Sequence, residues 1–413
     1  MNSRERILAS INHKEPDRIP IDLGSTTSSG ISGIAYKRLK KYLSIDKGHT
    51  RIYDVVQQQA QPEEEILDRF NIDVINIGRA FGTEDKDWYE IKLSNGDIVE
   101  FPTWFKPVLE EGGRYNAYSE DGTLIATMPE GATYYDQVYY PYIEGYPEDY
   151  TNIEQAMKKV SWFAFPANPW MYANEPDFWE NLRKKALELQ QNSDRALVIE
   201  CGCSLLESGN YLRRMDNFLM DIYTEPDEVE RLLDVLVERH LSMLEKVCKA
   251  VGDVADIVRF CDDLGTDLAP LMAPEIYRKI FKPRLTMMCD YVKKHSKMHI
   301  LMHSCGSIYK LIPDLIEAGI EIFNPIQTTA NEMDIVRLKK EFGKDITFWG
   351  GGCNTRSILN RATPEEVKDY VKRQIEIMAP GGGFVFNQEH NIMPDVPPEN
   401  IIAMYDAVQE FSY

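Results

Sequence analysis

Three residues in the second half of the chain have the side chains and spacing of a zinc site. His303 and Cys305 are two positions apart in an apolar run, so in an extended strand both side chains lie on the same side. Cys353 directly follows three glycines, whose backbone can turn closely towards a ligand. One imidazole and two thiolates suit zinc, and three protein ligands leave a fourth position open for a reacting molecule. The pattern predicts a catalytic metal site of His303, Cys305 and Cys353.

Each of these residues also has an ordinary structural interpretation. A buried cysteine is usually a small apolar residue of the core, and a single His-X-Cys indicates little by itself. A second pair, Cys201 and Cys203, has no histidine beside it and is the weaker candidate. The metal interpretation therefore depends on a fold that brings the ends of neighbouring strands together.

Polar residues also follow several of the other predicted strands. Carboxylates at such positions often cap helices or pair with lysine and arginine. Asp262, Glu389 and His390 are nevertheless our candidates for catalytic residues that contact the substrate. Asn324 or Gln327, which lies between the strands that carry the predicted zinc ligands, is a candidate for supporting a ligand or binding the metal weakly.

Eight short apolar runs rich in β-branched residues predict strands that are buried on both faces of a parallel sheet. They cover residues 18–24, 73–78, 196–202, 256–263, 299–306, 320–327, 346–353 and 384–390. Segments with helical periodicity lie between them, so we predict an α/β fold, a (β/α)8 TIM barrel. A doubly wound open sheet is the alternative, but no GxGxxG turn follows the first strand.

One stretch interrupts this alternation. Residues 84–144 contain Asn95-Gly96 and Asp121-Gly122, which are hairpin dipeptides between segments of alternating polarity. We predict one barrel domain over residues 1–413, with a β-rich insertion at residues 84–144 between the second and third strands. The tyrosines of the insertion either shape a substrate mouth or partner surface, or pack the insertion against the barrel.

Composition and charge exclude several classes of protein. With 46 basic and 66 acidic residues the formal net charge is −20, whereas nucleic-acid binding needs clustered basic residues. No apolar run approaches the roughly 18–20 residues of a membrane span, and the first residues lack the apolar stretch of a signal peptide. The 7 cysteines are not spaced as a disulfide framework. We expect a soluble cytoplasmic protein that binds neither nucleic acid nor membrane.

Three segments resemble the uroporphyrinogen decarboxylase superfamily, whose fold is a (β/α)8 barrel. They read ILASINHKEPDRIPI, HSCGSIYKLIPDLIEAGIEIFNPIQ and FVFNQEHNIMPDVPPENIIAMYDAV, and the stretch at residues 394–400 is the most specific. The decarboxylases of this superfamily grip the carboxylates of their substrate with an arginine-bearing segment after the first strand. Residues 21–30 read IDLGSTTSSG here and contain no arginine, which argues against that branch.

The arrangement of His303, Cys305 and a distant Cys353 is similar to the zinc site of the methylcobalamin:coenzyme M methyltransferases in this superfamily. The resemblance implies that these residues bind zinc. It also implies that the enzyme moves a methyl group between a corrinoid co-substrate, methylcobalamin, and a small thiol or methylated donor. The corrinoid would arrive on a separate corrinoid protein or free in solution.

Two alternatives remain open at this point. A metal-free decarboxylase or lyase of the same superfamily would use the carboxylates at the strand ends and need no zinc. A non-catalytic protein that binds zinc or a corrinoid would keep the metal ligands without turnover. The identities of the methyl donor and acceptor, the direction of transfer, the fourth zinc ligand and the oligomeric state are left open by the sequence.

Overall fold

The computed structural model describes residues 1–93 and 95–411. Its centre is a parallel sheet of seven strands, and the order of the strands along the sheet follows their order along the chain. The strands are Val74–Asn76, Ala196–Gly202, Ile257–Cys261, His299–His303, Ile322–Asn324, Thr347–Trp349 and Phe384–Val385. They correspond to the second to eighth predicted strands, and the predicted barrel fold is confirmed.

The first predicted strand is reduced to a short bridge that closes the barrel. Ile21 forms an isolated parallel bridge with Phe386, and the Asp22 N–H donates to the Phe386 carbonyl at 2.9 Å. On the other side, the Asp73 N–H donates to the Ile21 carbonyl at 2.9 Å. Because Pro20 has no N–H to donate, a longer regular ladder cannot form on this segment.

Helices surround the sheet, as the periodicity of the intervening segments predicts. The longer described α-helices are Ser3–Ile11, Gly33–Tyr42, Phe178–Asn192, Leu206–Arg213, Met215–Thr224, Pro226–Val251, Lys282–His295, Ile335–Phe342, Pro364–Met378 and Pro398–Glu410. Shorter ones are Glu64–Arg69, Ile153–Met157, Ser161–Ala164, Pro274–Ile276 and Ile312–Ala318. None of the helices in the described ranges has the length and apolarity to cross a membrane.

Antiparallel strands lie in the chain between the first two strands of the parallel sheet. Trp88–Lys92 pairs with Ile98–Pro102, and a separate four-stranded sheet follows. The four strands are Val108–Leu109, Tyr115–Tyr118, Leu124–Met128 and Asp136–Gln137. Earlier in the chain, Ile31–Ser32, Ile52–Asp54 and Gln59–Ala60 form a three-stranded sheet.

The inward-facing side chains of the barrel form an apolar layer below a polar one. The apolar layer, which Ile7 and Ile11 of the first helix complete, consists of Val74, Ala196, Val198, Ile257, Leu301, Ile322, Trp349 and Val385. Side chains on a strand face the same way every second residue. The next inward positions are Asn76, Glu200, Arg259, His303, Asn324 and Asn387. The barrel therefore has an apolar floor and presents polar groups towards its carboxyl end.

A buried carboxylate fastens the first helix and the closing segment to the barrel. Asp73 is fully buried and accepts hydrogen bonds from Arg6 Nη1 at 2.7 Å and from Arg18 Nη1 and Nη2 at 2.7 and 2.8 Å. It also accepts the Ile21 N–H at 2.9 Å. One carboxylate thus joins the first helix, residue 18 and the bridge at Ile21.

We expect Asp73→Ala to lower the free energy of unfolding by about 3 kcal/mol, because it leaves the buried Arg6 guanidinium without this partner. Asp17→Ala is the matched control: Asp17 also pairs with Arg6, but its side chain is 44% exposed. The control should cost less than about 1 kcal/mol. Urea denaturation followed by circular dichroism measures both, and equal losses would show that the buried position of Asp73 is unimportant.

Candidate metal centre

The carboxyl end of the barrel brings together one cysteine and two histidines. His303 ends its strand, Cys305 follows two residues later, and His390 lies in the segment after the last strand. Their potential ligand atoms all lie within 4.8 Å of one another. Cys305 Sγ is 3.5 Å from His303 Nε2, and the two imidazole rings are 5.7 Å apart at an angle of 66°. We call His303, Cys305 and His390 the metal cluster.

Asn324 fixes the protonation and orientation of His303. Asn324 Nδ2 donates to the Trp349 carbonyl at 2.9 Å, so its Oδ1 must be the atom that lies 2.7 Å from His303 Nδ1. An amide oxygen only accepts, and therefore His303 Nδ1 carries the proton. The lone pair of His303 Nε2 consequently points towards Cys305. A hydrogen bond of this kind, on the other ring nitrogen, is what orients a metal-binding histidine.

The loop after His303 is held by a carboxylate and an amide. The Cys305 N–H donates to Asp263 Oδ1 at 2.7 Å, and the same oxygen lies 3.8 Å from His303 Nε2. The Gly306 N–H donates to Gln327 Oε1 at 2.9 Å. Asn324 therefore supports a cluster residue directly, whereas Gln327 supports the loop. Asp263 therefore places a carboxylate oxygen beside His303.

The surroundings of the metal cluster favour uncharged forms of all three side chains. Burial, with a smaller contribution from the Arg259 guanidinium, lowers the pKa of His303 to about 3. Burial and the neighbouring His303 lower the pKa of His390 to about 3. Burial and the nearby carboxylates of Asp263 and Glu207 raise the pKa of the Cys305 thiol. Neutral imidazoles are ready to bind a metal, and a divalent cation would supply the positive charge that a thiolate needs here. The donor set therefore fits a zinc ion.

Asp262 caps a helix, and its predicted contact with the substrate remains a prediction. Its carboxylate accepts the N–H groups of Leu205, Leu206 and Glu207 at 3.1, 3.0 and 2.8 Å, at the start of the helix Leu206–Arg213. Three backbone donors at a helix N-terminus are the usual partners of a capping carboxylate. The contacts of Asp262 thus explain its position without a substrate.

Glu207 is a candidate that the sequence analysis missed. The Tyr211 hydroxyl donates to Glu207 Oε1 at 2.8 Å. Burial, followed by the charges of Asp263 and Asp262, raises the pKa of Glu207 to about 8. A carboxylic acid that holds a proton near neutral pH is suited to general acid catalysis. Glu207 lies five residues after the end of the strand Ala196–Gly202. The sequence analysis considered residues at the strand ends and therefore did not select it.

Cys353, the third predicted ligand, lies outside the metal cluster. Its side chain is fully buried in the main apolar core, together with Phe386 and Tyr405. Burial and the nearby Glu389 carboxylate raise the pKa of its thiol. The structure thus places His390, and not Cys353, beside His303 and Cys305. His390, which we predicted as a catalytic residue, has its ligand atom within 4.8 Å of those of His303 and Cys305.

Glu389 joins two loops and does not need a substrate to satisfy its carboxylate. Its Oε1 accepts the backbone N–H of Thr328 at 2.9 Å and also the Thr328 hydroxyl. Its Oε2 accepts Asn354 Nδ2 at 2.9 Å. Because all these partners lie in the loops after neighbouring strands, this arrangement favours a structural role for Glu389. The predicted contact of Glu389 with a substrate remains a prediction.

A buried ion pair lies in the polar layer of the barrel. Arg259 Nη1 donates to Glu200 Oε2 at 2.7 Å, and Arg259 Nη2 donates to the Ser28 hydroxyl at 3.0 Å. Glu200 also accepts the Thr27 hydroxyl at 3.0 Å. Thr27 and Ser28 belong to the segment that carries arginine in the decarboxylases of the superfamily, and here they hold an internal pair.

Comparison with known proteins gives a family and a fold. The profile of the family described as Uroporphyrinogen decarboxylase (URO-D) matches residues 202–411, just over half of the chain. The uroporphyrinogen decarboxylase of Coxiella burnetii is 25% identical over 193 residues, which are 46% of this chain and 50% of that protein. The one of Methylococcus capsulatus is 34% identical over 98 residues, which are 24% of this chain and 26% of that protein. The chain thus spans half or less of the length of these curated relatives.

A solved structure shares the fold over the whole chain. A methyltransferase from Methanosarcina mazei superposes with a TM-score of 0.58 at 16% sequence identity. The match covers 100% of this chain and 99% of that one. At this level of identity the likeness establishes the fold.

Glu207 should make the stability of the metal-free protein fall as the pH rises. Its pKa is about 8 in the folded protein against a usual value of 4.5. The folded state therefore binds the extra proton between these values, and the free energy of unfolding decreases across that range. Above about pH 8 we expect Glu207→Gln to be about 1–3 kcal/mol more stable than the parent, with no difference near pH 4. Denaturation at both pH values, with the exposed Glu188→Gln as control, checks this; a pH-independent difference would contradict it.

Removing the Asn324 side chain should weaken metal binding without removing any ligand. In Asn324→Ala, His303 loses the acceptor of its Nδ1 proton, so we expect zinc affinity to fall by about 10–100-fold. Asn354→Ala is the control, because Asn354 donates to Glu389 and not to the metal cluster. Competition with a chelating dye measures both affinities. An equal loss in the two variants would show that general loosening of the loops, and not the orientation of His303, controls binding.

Proposed function

The chain belongs to the uroporphyrinogen decarboxylase (URO-D) family, and from that premise we propose that it is a zinc-dependent methyltransferase. The reaction would move a methyl group between a corrinoid, such as methylcobalamin, and a small thiol or methylated donor. The observation that carries this proposal is the metal cluster, in which one thiol and two neutral imidazoles meet at the catalytic end of the barrel. The methyltransferase fold shared over the whole chain supports it.

Each residue of the centre has a separate task in this proposal. His303, Cys305 and His390 would hold the zinc, and Asn324 keeps His303 Nε2 free of a proton. When bound, zinc supplies a Lewis acid that keeps a substrate thiol deprotonated at neutral pH or polarises a methylated donor. When it is ionised, the Glu207 carboxylate contributes to the raised pKa of Cys305. We assign it to return a proton to the sulfur or oxygen atom that loses the methyl group.

The donor set also bears on the direction of transfer. One thiolate and two imidazoles carry a single negative charge, so a zinc centre of this composition has a net charge of +1. The predicted pair of thiolates would have made it neutral. A more positive centre binds an incoming thiolate strongly but leaves its sulfur less electron-rich. This favours the use of the centre to polarise a methylated donor, with a reduced corrinoid as the methyl acceptor.

The corrinoid would approach the metal cluster from the carboxyl end of the barrel, free or on a separate corrinoid protein. All seven cysteines of the chain are free thiols. Free thiols and a reduced corrinoid are both compatible with the reducing interior of a cell, so we place the reaction in the cytoplasm.

The zinc content of single variants tests which residues are ligands. The parent, purified anaerobically, should contain about one zinc per chain. We expect His303→Ala, Cys305→Ser and His390→Ala to lose most of it, and Cys353→Ser to retain it because Cys353 lies in the apolar core. Inductively coupled plasma mass spectrometry measures the metal. Loss of zinc in Cys353→Ser with retention in His390→Ala would reinstate Cys353 as the third ligand.

The reaction itself is tested with the zinc-loaded protein. Methylcobalamin is offered with a panel of thiols, and cob(I)alamin with a panel of methylated thiols, ethers and amines, while the absorption of the corrinoid is followed. We expect turnover in at least one pairing and none in Cys305→Ser. No exchange in any pairing would contradict the proposal, and decarboxylation that persists in Cys305→Ser would favour the metal-free decarboxylase.

A further inference from the structure

A pocket that is separate from the metal cluster opens between two helices and two loops. It has a volume of about 310 Å³. The helices are Ile335–Phe342 and Pro364–Met378, and the loops follow the strands Ile322–Asn324 and Thr347–Trp349. Pockets that bind small molecules begin at about this volume. The residues of the metal cluster are not among the described residues that line it, so the pocket is a candidate binding site in its own right.

The pocket has an exposed rim and a buried base. Thr329, Asp334 and Ser357 line it and are exposed to solvent. Asn354 and Gln374 also line it and are buried. A small molecule can therefore enter from solvent and reach side chains that are largely shielded from water.

The buried amide of Gln374 lacks a partner for its oxygen atom within the described part of the chain. Gln374 is only 9% exposed, and its Oε1 is buried and accepts no hydrogen bond. Most buried polar atoms of proteins are paired, because an unpaired one destabilises the folded state. Since Gln374 lines the pocket, a molecule bound there can supply the missing donor.

Two hydroxyl groups of the pocket have already given their hydrogens to its wall. The Thr328 hydroxyl donates to Glu389, so in its 3.3 Å contact with the Tyr370 hydroxyl the tyrosine must be the donor. The Ser357 hydroxyl donates to Asn354 Oδ1 at 2.9 Å. The oxygen atoms of Tyr370 and Ser357 are thus left as acceptors. Together with the unpaired amide oxygen they favour a ligand that has several hydrogen-bond donors.

The charges and the apolar surface of the pocket favour a neutral ligand with a carbon ring. No lysine, arginine or histidine is among the described residues that line it, so an anion would lack a counter-charge. The Asp334 carboxylate is already used as a helix cap, because its Oδ1 accepts the Arg337 N–H at 2.9 Å. Ile335 and Ile358 add apolar surface. A ring of carbon atoms that carries hydroxyl groups matches both the acceptors and the apolar side chains.

We propose that this pocket binds a neutral cyclic polyol of the monosaccharide class. The hydroxyl groups of the ligand donate to Gln374, Tyr370 and Ser357, and its ring packs against the apolar side chains. The buried amide of Gln374 then serves binding at the expense of stability. This site is a second one beside the metal cluster, and the inference does not depend on the proposed function.

Saturation-transfer difference NMR of the protein tests this inference with D-glucose, D-galactose and myo-inositol as probes. We expect saturable binding of at least one of them, and weaker binding of putrescine and succinate, which represent cations and anions. In Gln374→Met the affinity for that probe should fall by about 3–10-fold, which is the effect of one neutral hydrogen bond. Gln409→Met is the matched control, because Gln409 lies on the helix Pro398–Glu410 and donates to the Arg69 carbonyl at 3.3 Å. It should leave the affinity unchanged.

The thermal stability of Gln374→Met separates a binding role from a structural one. Because the variant replaces an unpaired buried amide by an apolar side chain of similar length, we expect its Tm to rise by about 1–4 °C. A lower Tm would show that the amide stabilises the fold and would overturn the inference. Equal affinities in the parent and in Gln374→Met, or tighter binding of putrescine or succinate, would also overturn it. Absence of saturable binding of all three polyols would leave only water as the occupant of the pocket.

Discussion

The hydrogen bond between His303 Nδ1 and Asn324 Oδ1 is the interaction on which the rest of the centre depends. Asn324 can accept it only because its Nδ2 is committed to the Trp349 carbonyl, which fixes the orientation of the amide. These bonds lie in the polar layer, directly above an apolar floor, so each polar group must find its partner on another strand or loop. The same requirement explains the pair of Arg259 with Glu200. The barrel thus supplies an ordered base for the metal cluster.

The metal cluster contains His390 where the sequence analysis predicted Cys353. This difference affects the chemistry of the cluster more than its geometry. Both residues follow strands at the same end of the barrel, yet they differ by one unit of charge when bound to a metal. A thiolate donates charge to zinc and makes a bound substrate sulfur a better nucleophile. An imidazole leaves zinc a stronger Lewis acid. Under the proposed function, this difference in the donor set favours the activation of a methylated donor over the methylation of a thiol.

The barrel was predictable because its strands are short apolar runs, and His303 and Cys305 were predictable because they follow a regular strand. The alternation of side chains stops where a strand stops. Gly350 and Gly351 have φ values of +103° and +74°, so the direction of the Cys353 side chain could not be extrapolated from its strand. Asp262 and Asp263 are adjacent, and only the contacts of the helix Leu206–Arg213 show that the former is a cap. The sequence pattern does not determine backbone geometry outside the strands, so the directions of these side chains could be read only from the structure.

The two halves of the chain contribute different parts of the site. The cluster residues and Asn324 lie between residues 303 and 390, inside the region that the family profile matches. The two residues that hold the buried arginine, Ser28 and Glu200, precede that region. Family membership is therefore informative about the residues of the metal cluster. The polar layer beneath the cluster has to be inferred from contacts that the first half of the chain makes, because Ser28 and Glu200 lie outside the matched residues and yet pair with Arg259 inside them.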